Sequence, residues 1–366
     1  MQIGTVALFG EIVLVQIGAF HLGNVPLLRR LETGAPLSRS RDLVNAIRVD
    51  RNGGPEVLQL VDVPTPSPGP GQVLVRQSAA GINYIDVYQR TGLYKAPLPF
   101  IPGREGAGVV EALGEGVSGV RVGERVAYTH VGFGGYAPAN VVDVRWLIPI
   151  PDGIDDGAAC ALMLQGITAQ YLATDTFALH PGHVALVHAA AGGVGALLVQ
   201  IAKARGARVI ATVGTDAKAK IAREAGADDV IVYAQADFAD ATRALVGEHG
   251  VDVAYDSVGK DTWERSLSVL RPRGMLVVYG NASGPVPPID PARLMAAGSI
   301  FFTRPTAGDY MRTREELLGR ARELFSLVEA GKLRPRIGAT YPLADAAQAH
   351  RDLEARATTG KLLLTP

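Results

Sequence analysis

The chain has 366 residues and equal numbers of basic and acidic side chains, 36 of each, so its formal net charge is zero. This length predicts two domains, and the 48% hydrophobic content is typical of a folded protein rather than a disordered one. A chain without net charge has no overall field that would attract nucleic acid or an anionic membrane. The single cysteine, Cys160, cannot form an intrachain disulfide, which favours a reducing, cytoplasmic location.

The first 45 residues differ from the rest of the chain. Residues 6–20 are mostly apolar but are interrupted by Gly10, Glu11 and Gln16, so this segment is too short and too broken for a membrane-spanning helix. No basic residues precede it, unlike the start of a secretory signal. We interpret residues 1–45 as an extension of unknown role, either poorly ordered or due to a start site assigned too far upstream. A weak targeting segment is the alternative.

Residues 46–165 contain short, glycine-rich β segments separated by turn signals such as Asn52-Gly53-Gly54-Pro55. Short strands at this spacing predict a compact, mostly antiparallel, barrel-like domain. The tail contains a predicted helix at 313–330, a shorter one near 345–355 and a strand at 361–365. We expect this tail, residues 313–366, to complete the first domain.

Residues 166–312 change to apolar strands that alternate with helices. This pattern predicts an α/β domain with a doubly wound parallel sheet covered by helices on both faces. The predicted strands are Val184–His188, Val209–Val213, Val230–Tyr233, Val253–Asp256, Met275–Tyr279 and Ile300–Thr303. The predicted helices are Gly195–Arg205, Ala217–Ala225, Phe238–Glu248 and Thr262–Leu270.

A glycine-rich run directly follows the first of these strands and opens a helix. Read as G-x-G-x-x-G, the run places Ala190, Gly192 and Gly195 at the three key positions. Glycine at the second position lets the backbone approach a pyrophosphate, and the helix N-terminus offers free N–H groups. The context of strand before and helix after predicts a dinucleotide site. Its residues are Ala190, Ala191, Gly192, Gly193, Val194 and Gly195.

The end of the second strand indicates which dinucleotide is preferred. Sites for NAD carry an acid there that binds the ribose hydroxyls, but this chain has Gly214 followed by Thr215. The missing acid leaves room for a 2′-phosphate, and Lys218 can pair with it, so we predict NADPH. We expect Asp216 to cap the helix that begins at Ala217.

Several motifs together resemble the zinc-independent quinone oxidoreductase (zeta-crystallin-like) branch of the medium-chain dehydrogenase/reductase superfamily. The resemblance runs from about Ala46 to the C-terminus. The motifs are Gly53-Gly54-Pro55-Glu56-Val57-Leu58, Gly81-Ile82-Asn83-Tyr84-Ile85-Asp86, residues 189–195, Thr212-Val213-Gly214-Thr215, Tyr255-Asp256-Ser257-Val258-Gly259, residues 261–267, Gly280-Asn281-Ala282-Ser283-Gly284 and Thr303-Arg304-Pro305. The resemblance implies a GroES-like catalytic domain beside the Rossmann domain.

Zinc-dependent relatives carry a cysteine and a His-Glu pair in the matching segments, where this chain has Asn83 and Arg104-Glu105. A catalytic zinc needs three protein ligands, so we expect no metal and no alcohol dehydrogenase activity. The resemblance implies that the nicotinamide and substrate are bordered by Asn83, Tyr84, Asp86, Tyr88 and Tyr94. It also places Gln165, Thr168, Tyr233, Gly280, Asn281, Ser283 and Arg356 at the cofactor, although relatives differ at Gln165.

The expected activity is NADPH-dependent reduction of quinones by hydride transfer without zinc. Reduction of α,β-unsaturated carbonyls by the same fold is an open alternative, because both reactions need only NADPH and a flat apolar pocket. A non-catalytic NADPH- or RNA-binding protein is a further alternative, which the zero net charge disfavours. We also predict a homodimer through the apolar edge strand near Phe301, and neither a nucleic-acid nor a membrane partner.

Overall fold

The computed structural model describes residues 43–130 and 132–366, so the predictions for residues 1–42 lie outside it. The first strand begins at Leu43, slightly before the predicted start of the domain pattern at Ala46. In the described part of the chain, no helix is long and apolar enough to cross a membrane.

The first part of the chain forms short antiparallel strands, as predicted. β1 and β2 form a separate hairpin around the turn at Asn52-Gly53-Gly54-Pro55, while β3, β4, β5 and β7 pair in sequence. Most residues of β3 and β4 are buried, in consecutive runs rather than in alternation, so both faces of these strands are covered along most of their length. The elements are β1 (Leu43–Val49), β2 (Leu58–Pro64), β3 (Gln72–Ile82), α1 (Tyr84–Thr91), β4 (Glu105–Leu113), β5 (Arg125–Thr129), β6 (Ala139–Asp143) and β7 (Leu147–Pro149).

The second part of the chain forms a six-stranded parallel sheet in the order β10-β9-β8-β11-β12-β13. This is the doubly wound dinucleotide-binding order, and it confirms the predicted fold class. The elements are α2 (Asp156–Ala161), α3 (Ile167–Tyr171), β8 (Val184–Val187), α4 (Gly193–Ala204), β9 (Arg208–Val213), α5 (Asp216–Glu224), β10 (Asp229–Val232), α6 (Phe238–Val246), β11 (Val251–Asp256), α7 (Trp263–Ser268), β12 (Leu270–Val278), α8 (Pro291–Ala296) and β13 (Phe301–Thr303).

The C-terminal tail returns to the first sheet. Its elements are α9 (Arg314–Glu329), β14 (Ile337–Pro342), α10 (Ala346–Glu354) and β15 (Lys361–Thr365). β15 pairs antiparallel with β3 and parallel with β14, so the last strand lies beside the strand that leads into α1. Strand β14 was not predicted, because Gly338 and Pro342 interrupt its apolar pattern. Glycine is required at position 338, since a Cβ there would lie 1.7 Å from the carbonyl oxygen of Thr359.

Candidate active site

The glycine-rich turn between β8 and α4 can accept only small residues. Ala189 has a φ of 51°, and a Cβ at Gly195 would lie 2.3 Å from its carbonyl oxygen. A Cβ at Gly193 would lie 1.9 Å from Oε1 of Gln165, so the turn and Gln165 are in direct contact. α4 begins at Gly193 without a side-chain cap, which leaves its first N–H groups available to a pyrophosphate.

Two cations lie beside the end of β9. The ammonium of Lys218 donates to the carbonyl oxygen of Arg356 at 2.5 Å, and Arg356 has a φ of 56°. Burial and the Arg356 guanidinium lower the pKa of Lys218. Neither cation forms a salt bridge with an acid in the described part of the chain. Two adjacent cations without an acid favour binding of an anion.

The surroundings of these cations agree with a phosphate pocket. A Cβ at Gly214 would lie 2.8 Å from the hydroxyl of Tyr233, so an acidic side chain there would displace the Tyr233 side chain. The prediction that Asp216 caps α5 is wrong. Thr215 is the N-cap, and its hydroxyl accepts from the N–H of Lys218 at 3.3 Å, because its backbone is extended while Asp216 is already helical. The Asp216 carboxylate instead accepts from Gln235.

A buried polar cluster lies on the other side of the glycine-rich turn. Nδ2 of Asn83 donates to Oε1 of Glu105 at 2.6 Å, and Lys361 donates to both Asn83 and Glu105. Nε2 of Gln165 donates to Oδ1 of Asn83 at 3.1 Å. This leaves Oε1 of Gln165 buried without a partner among the described residues, next to Gly193, where α4 begins. Thr168, three residues later and within α3, is also almost fully buried.

The predicted tyrosines form a row that runs away from the phosphate pocket. The rings of Tyr84 and Tyr88 are 6.0 Å apart, and those of Tyr88 and Tyr94 are 5.1 Å apart. Tyr84 lies at the phosphate end, where its hydroxyl donates to the carbonyl oxygen of Leu353. Burial raises its pKa, while the charge of Arg356 lowers it. The row therefore joins the two ends of one elongated site.

The far end of the row contacts the loop after β12. The hydroxyl of Tyr88 accepts from the N–H of Asn281 at 2.8 Å, and Nδ2 of Asn281 donates to the hydroxyl of Tyr94 at 3.1 Å. Arg304 also donates to Tyr94, at 2.9 Å. A cavity of about 430 Å³, lined mainly by apolar side chains, lies beside Asn281 and Arg304. Burial raises the pKa of Tyr88 to about 12, so its hydroxyl stays protonated.

Two further predicted residues shape the loop after β12. A Cβ at Gly280 would lie 2.4 Å from the carbonyl oxygen of Ser257, so this position requires glycine. The hydroxyl of Ser283 donates to the carbonyl oxygen of Val258 at 2.8 Å and accepts from the N–H of Asp261. Both residues therefore fix the loop that carries Asn281.

Asp86 is fully buried in a network behind α1. Its Oδ2 accepts from the N–H of Asn83 at 2.8 Å and from the hydroxyl of Tyr136 at 3.0 Å. Tyr136 in turn contacts His350, which accepts from Arg90. Burial raises the pKa of Asp86 to about 6. These contacts give Asp86 a role in holding α1, while its Oδ1 has no partner among the described residues.

Most of the predicted side chains lie in two groups that the tyrosine row connects, whereas Asp86 lies in the network behind α1. The phosphate end holds Gly214, Thr215, Lys218, Tyr233, Arg356 and Tyr84, and the opposite end holds Asn83, Gln165, Tyr88, Tyr94 and Asn281. Sequence reasoning missed Lys361 and Arg304. Lys361 is a lone cation that leads an apolar strand, and Arg304 stands inside one of the motifs that resemble the family, so both gave a usable signal.

Arg104 and Glu105 occupy the segment where the zinc-dependent relatives are expected to carry a His-Glu pair. The carboxylate of Glu105 is used by Asn83, Lys361 and the N–H of Leu164. Within residues 43–130 and 132–366, no three His, Cys, Asp or Glu side chains are grouped closely enough to hold a metal ion. Besides the Glu105 carboxylate, the position provides the amide of Asn83, the ammonium of Lys361 and the guanidinium of Arg104, and a single carboxylate falls short of the three protein ligands of a catalytic zinc.

Two family models match the chain. Residues 69–152 match the alcohol dehydrogenase GroES-like domain, and residues 193–319 match the family described as zinc-binding dehydrogenase. The second match begins at α4 and so excludes Asn83, Arg104 and Glu105. It describes the dinucleotide-binding part rather than the residues that would bind zinc.

Known proteins resemble this chain along almost their whole length. A quinone oxidoreductase of Pseudomonas aeruginosa is 48% identical over 86% of this chain and 97% of its own. A 2-haloacrylate reductase of a Burkholderia species is 42% identical over 88% of this chain and 99% of its own. The crystal structure of Escherichia coli quinone oxidoreductase complexed with NADPH matches with a TM-score of 0.86 and 42% identity, over 88% of this chain and all of that one.

Proposed function

The chain belongs to the quinone oxidoreductase branch of the medium-chain dehydrogenase/reductase superfamily, and on that premise we propose that it is an NADPH-dependent quinone reductase. When bound, the reduced nicotinamide supplies a hydride, which together with a proton from water converts a quinone to a hydroquinone. The residues of the chain bind the cofactor, orient the acceptor and exclude water.

The cation pair of Lys218 and Arg356 is the observation that carries the cofactor assignment. Both cations lack an acidic partner in the described chain, and Gly214 stands where an NAD site has an acid. A 2′-phosphate dianion supplies the missing negative charge and accepts charge-assisted hydrogen bonds from both side chains. The hydroxyl of Tyr233, beside Gly214, can donate to the same phosphate.

The opposite end of the site is suited to the nicotinamide and a flat acceptor. Oε1 of Gln165 is a buried acceptor without a partner among the described residues, so it can receive an N–H or O–H of the cofactor. Asn83 fixes the orientation of Gln165, because its Oδ1 accepts from Nε2 of Gln165. We assign the acceptor to the space between this amide pair and the hydroxyls of Tyr88 and Tyr94.

Steady-state NADPH oxidation with a panel of quinones and enones tests this function. We expect turnover with 1,4-naphthoquinone that exceeds turnover with simple enones. Because a 2-haloacrylate reductase is 42% identical to this chain, an α,β-unsaturated carbonyl is the second candidate acceptor. Faster turnover of the enones would favour that activity. NADPH oxidation by neither class would refute both, and an RNA-binding assay would then test the non-catalytic alternative.

Three further predictions belong to this proposal. The chain acts in the cytoplasm, in keeping with its single, buried cysteine. Its catalytic domain comprises residues 46–165 and 313–366, and its NADPH-binding domain comprises residues 166–312. It forms a homodimer through β13, the edge strand of the parallel sheet.

A further inference from the structure

Three buried polar atoms near Asn83 have no partner among the described residues. They are Nε of Arg104, Nε2 of His130 and Oγ1 of Thr129. Buried polar atoms are nearly always hydrogen-bonded, and a buried donor without a partner costs free energy. Three such atoms on neighbouring residues therefore indicate a ligand that the protein alone does not supply.

The backbone brings these residues together. Glu105 at the start of β4 pairs with Thr129 at the end of β5, and the N–H of His130 donates to the carbonyl oxygen of Arg104 at 3.0 Å. The charge of Arg104 acts on both His130 and Asp86. Asp86 in turn accepts from the N–H of Asn83. The cluster thus adjoins the end of the site that we assign to the nicotinamide and the acceptor.

Both nitrogen atoms are hydrogen-bond donors. Nδ1 of His130 accepts from the N–H of Gly132 at 2.7 Å, so the proton of the neutral ring is on Nε2. Burial, with the nearby charge of Arg104, lowers the pKa of His130 to about 4, which keeps the ring neutral. Arg104 is a cation and a donor only.

The neighbouring acids leave the charge of Arg104 available. The carboxylate of Glu105 is engaged by Lys361, Asn83 and Leu164, and Arg104 forms no salt bridge within the described chain. Asp86 is the other charged group that acts on Arg104; its Oδ2 is engaged by Asn83 and Tyr136, and its Oδ1, although without a partner, forms no hydrogen bond or salt bridge with Arg104 among the described residues. A guanidinium with a free, buried N–H is suited to an oxygen atom that becomes negative.

We propose that Arg104 and His130 bind the carbonyl oxygen of the acceptor and stabilise the anion that hydride transfer creates on it. This inference rests on the proposed function. A bound reduced nicotinamide would supply a hydrogen with its electron pair, and its own oxidation would balance the two-electron reduction of the acceptor. The acceptor oxygen then carries the negative charge, as a phenolate for a quinone or an enolate for an enone, until a proton from water neutralises it. Arg104 thus supplies the positive charge that a metal ion supplies in zinc-dependent relatives.

A phenolate that cannot react tests this anion site directly. 4-Nitrophenolate, the coloured anion of a phenol, should bind to the protein saturated with NADP⁺ and change its absorption spectrum. Arg104→Met should weaken this binding about tenfold or more, the scale of a hydrogen bond to a charged group. Arg104→Lys should retain part of the affinity, and His130→Phe, which keeps a ring against Tyr128, should weaken it severalfold. The NADPH dissociation constant, measured by cofactor fluorescence, should not change.

The control is Arg76→Met, which removes an exposed arginine from β3 and should have no effect. Enones should lose more kcat than quinones in Arg104→Met, because an enolate is intrinsically less stable than a phenolate. Equal 4-nitrophenolate binding by the wild type and Arg104→Met, or no binding by the wild type, would overturn the inference. If Arg104→Met does not fold, Arg104→Lys and His130→Phe replace it in the binding test. Wild-type affinity for 4-nitrophenolate in both variants would then overturn the inference. A wild type that binds 4-nitrophenolate but reduces no acceptor would refute the proposed function alone.

Discussion

The ammonium of Lys361 and the carboxylate of Glu105 form a buried ion pair, with side chains that are 2% and 0% exposed. Lys361 begins the last strand of the chain, whereas Glu105 begins β4, so the pair ties the C-terminus to the first sheet. Both side chains also bond to Asn83, and Lys361 donates to the carbonyl oxygen of Ile82 as well. The orientation of the Asn83 amide therefore depends on a residue from the far end of the chain.

Removing the charge of Lys361 should destabilise the fold. Lys361→Met leaves the Glu105 carboxylate buried without its cation, and the expected loss is about 3–5 kcal/mol of unfolding free energy. Urea denaturation measures this loss. The double variant Lys361→Met/Glu105→Gln should recover part of it, because no charge is then left unpaired. A double variant no more stable than the single one would show that the pair is not the cause.

Activity should not depend on a metal ion. The position where zinc-dependent relatives carry ligands holds the amide of Asn83 and the ammonium of Lys361, and the Glu105 carboxylate there is engaged by both. Dialysis against a strong chelator should leave the rate of NADPH oxidation unchanged, and elemental analysis should find no stoichiometric zinc. A chelator-sensitive rate that zinc restores would overturn this prediction.

Acid should destabilise the protein through His350. Burial and the charge of Arg90 lower the pKa of His350 to about 3, whereas an unfolded histidine titrates near 6.5. Between these values the unfolded chain binds a proton that the native state does not, so stability falls as the pH decreases. Asp86 acts in the opposite direction, because its raised pKa of about 6 makes the native state the one that holds a proton.

Substitution of His350 isolates its contribution to the pH dependence. His350→Gln should reduce the slope of unfolding free energy against pH, between pH 4 and 6, by up to about 1.4 kcal/mol per pH unit, the value for one proton. Urea denaturation at several pH values measures the slope. His249→Gln, at an exposed histidine, is the matched control and should leave the slope as it is. An unaltered slope in His350→Gln would contradict the assignment.

The sequence predicted the parallel sheet well because its strands are continuously apolar and its turns are rich in glycine. It predicted the ends of helices less well. Asp216 was expected to cap α5, but Thr215 does so, since both residues are good caps and only the backbone conformation distinguishes them. Contacts such as that between Lys361 and Glu105 join residues 256 positions apart, and no local pattern encodes them.

Lys218 should determine the preference for NADPH. Lys218→Ala removes one of the two cations of the phosphate pocket, so NADPH binding should weaken by about 1–3 kcal/mol while NADH binding changes little. Dissociation constants from cofactor fluorescence measure both effects. Lys220→Ala removes an exposed lysine from the same helix and should not alter either. Equal use of NADPH and NADH by the wild type would contradict the prediction.

The edge strand β13 should join two copies of the chain. Among the described residues it pairs only with β12, and the side chain of Phe301 is 59% exposed, although Phe302 is partly buried against the core. An exposed apolar edge invites pairing with another chain, and two-fold symmetry is the commonest way to cover it. β13 has only three residues, so pairing covers few backbone groups and most of the stabilisation must come from side chains such as Phe301. Phe301→Lys should therefore weaken the dimer, because it buries a charge without a partner. Light scattering at micromolar concentration measures the mass of the wild type and of Phe301→Lys. A monomeric wild type would refute the dimer. A dimer that Phe301→Lys leaves intact would place the interface elsewhere.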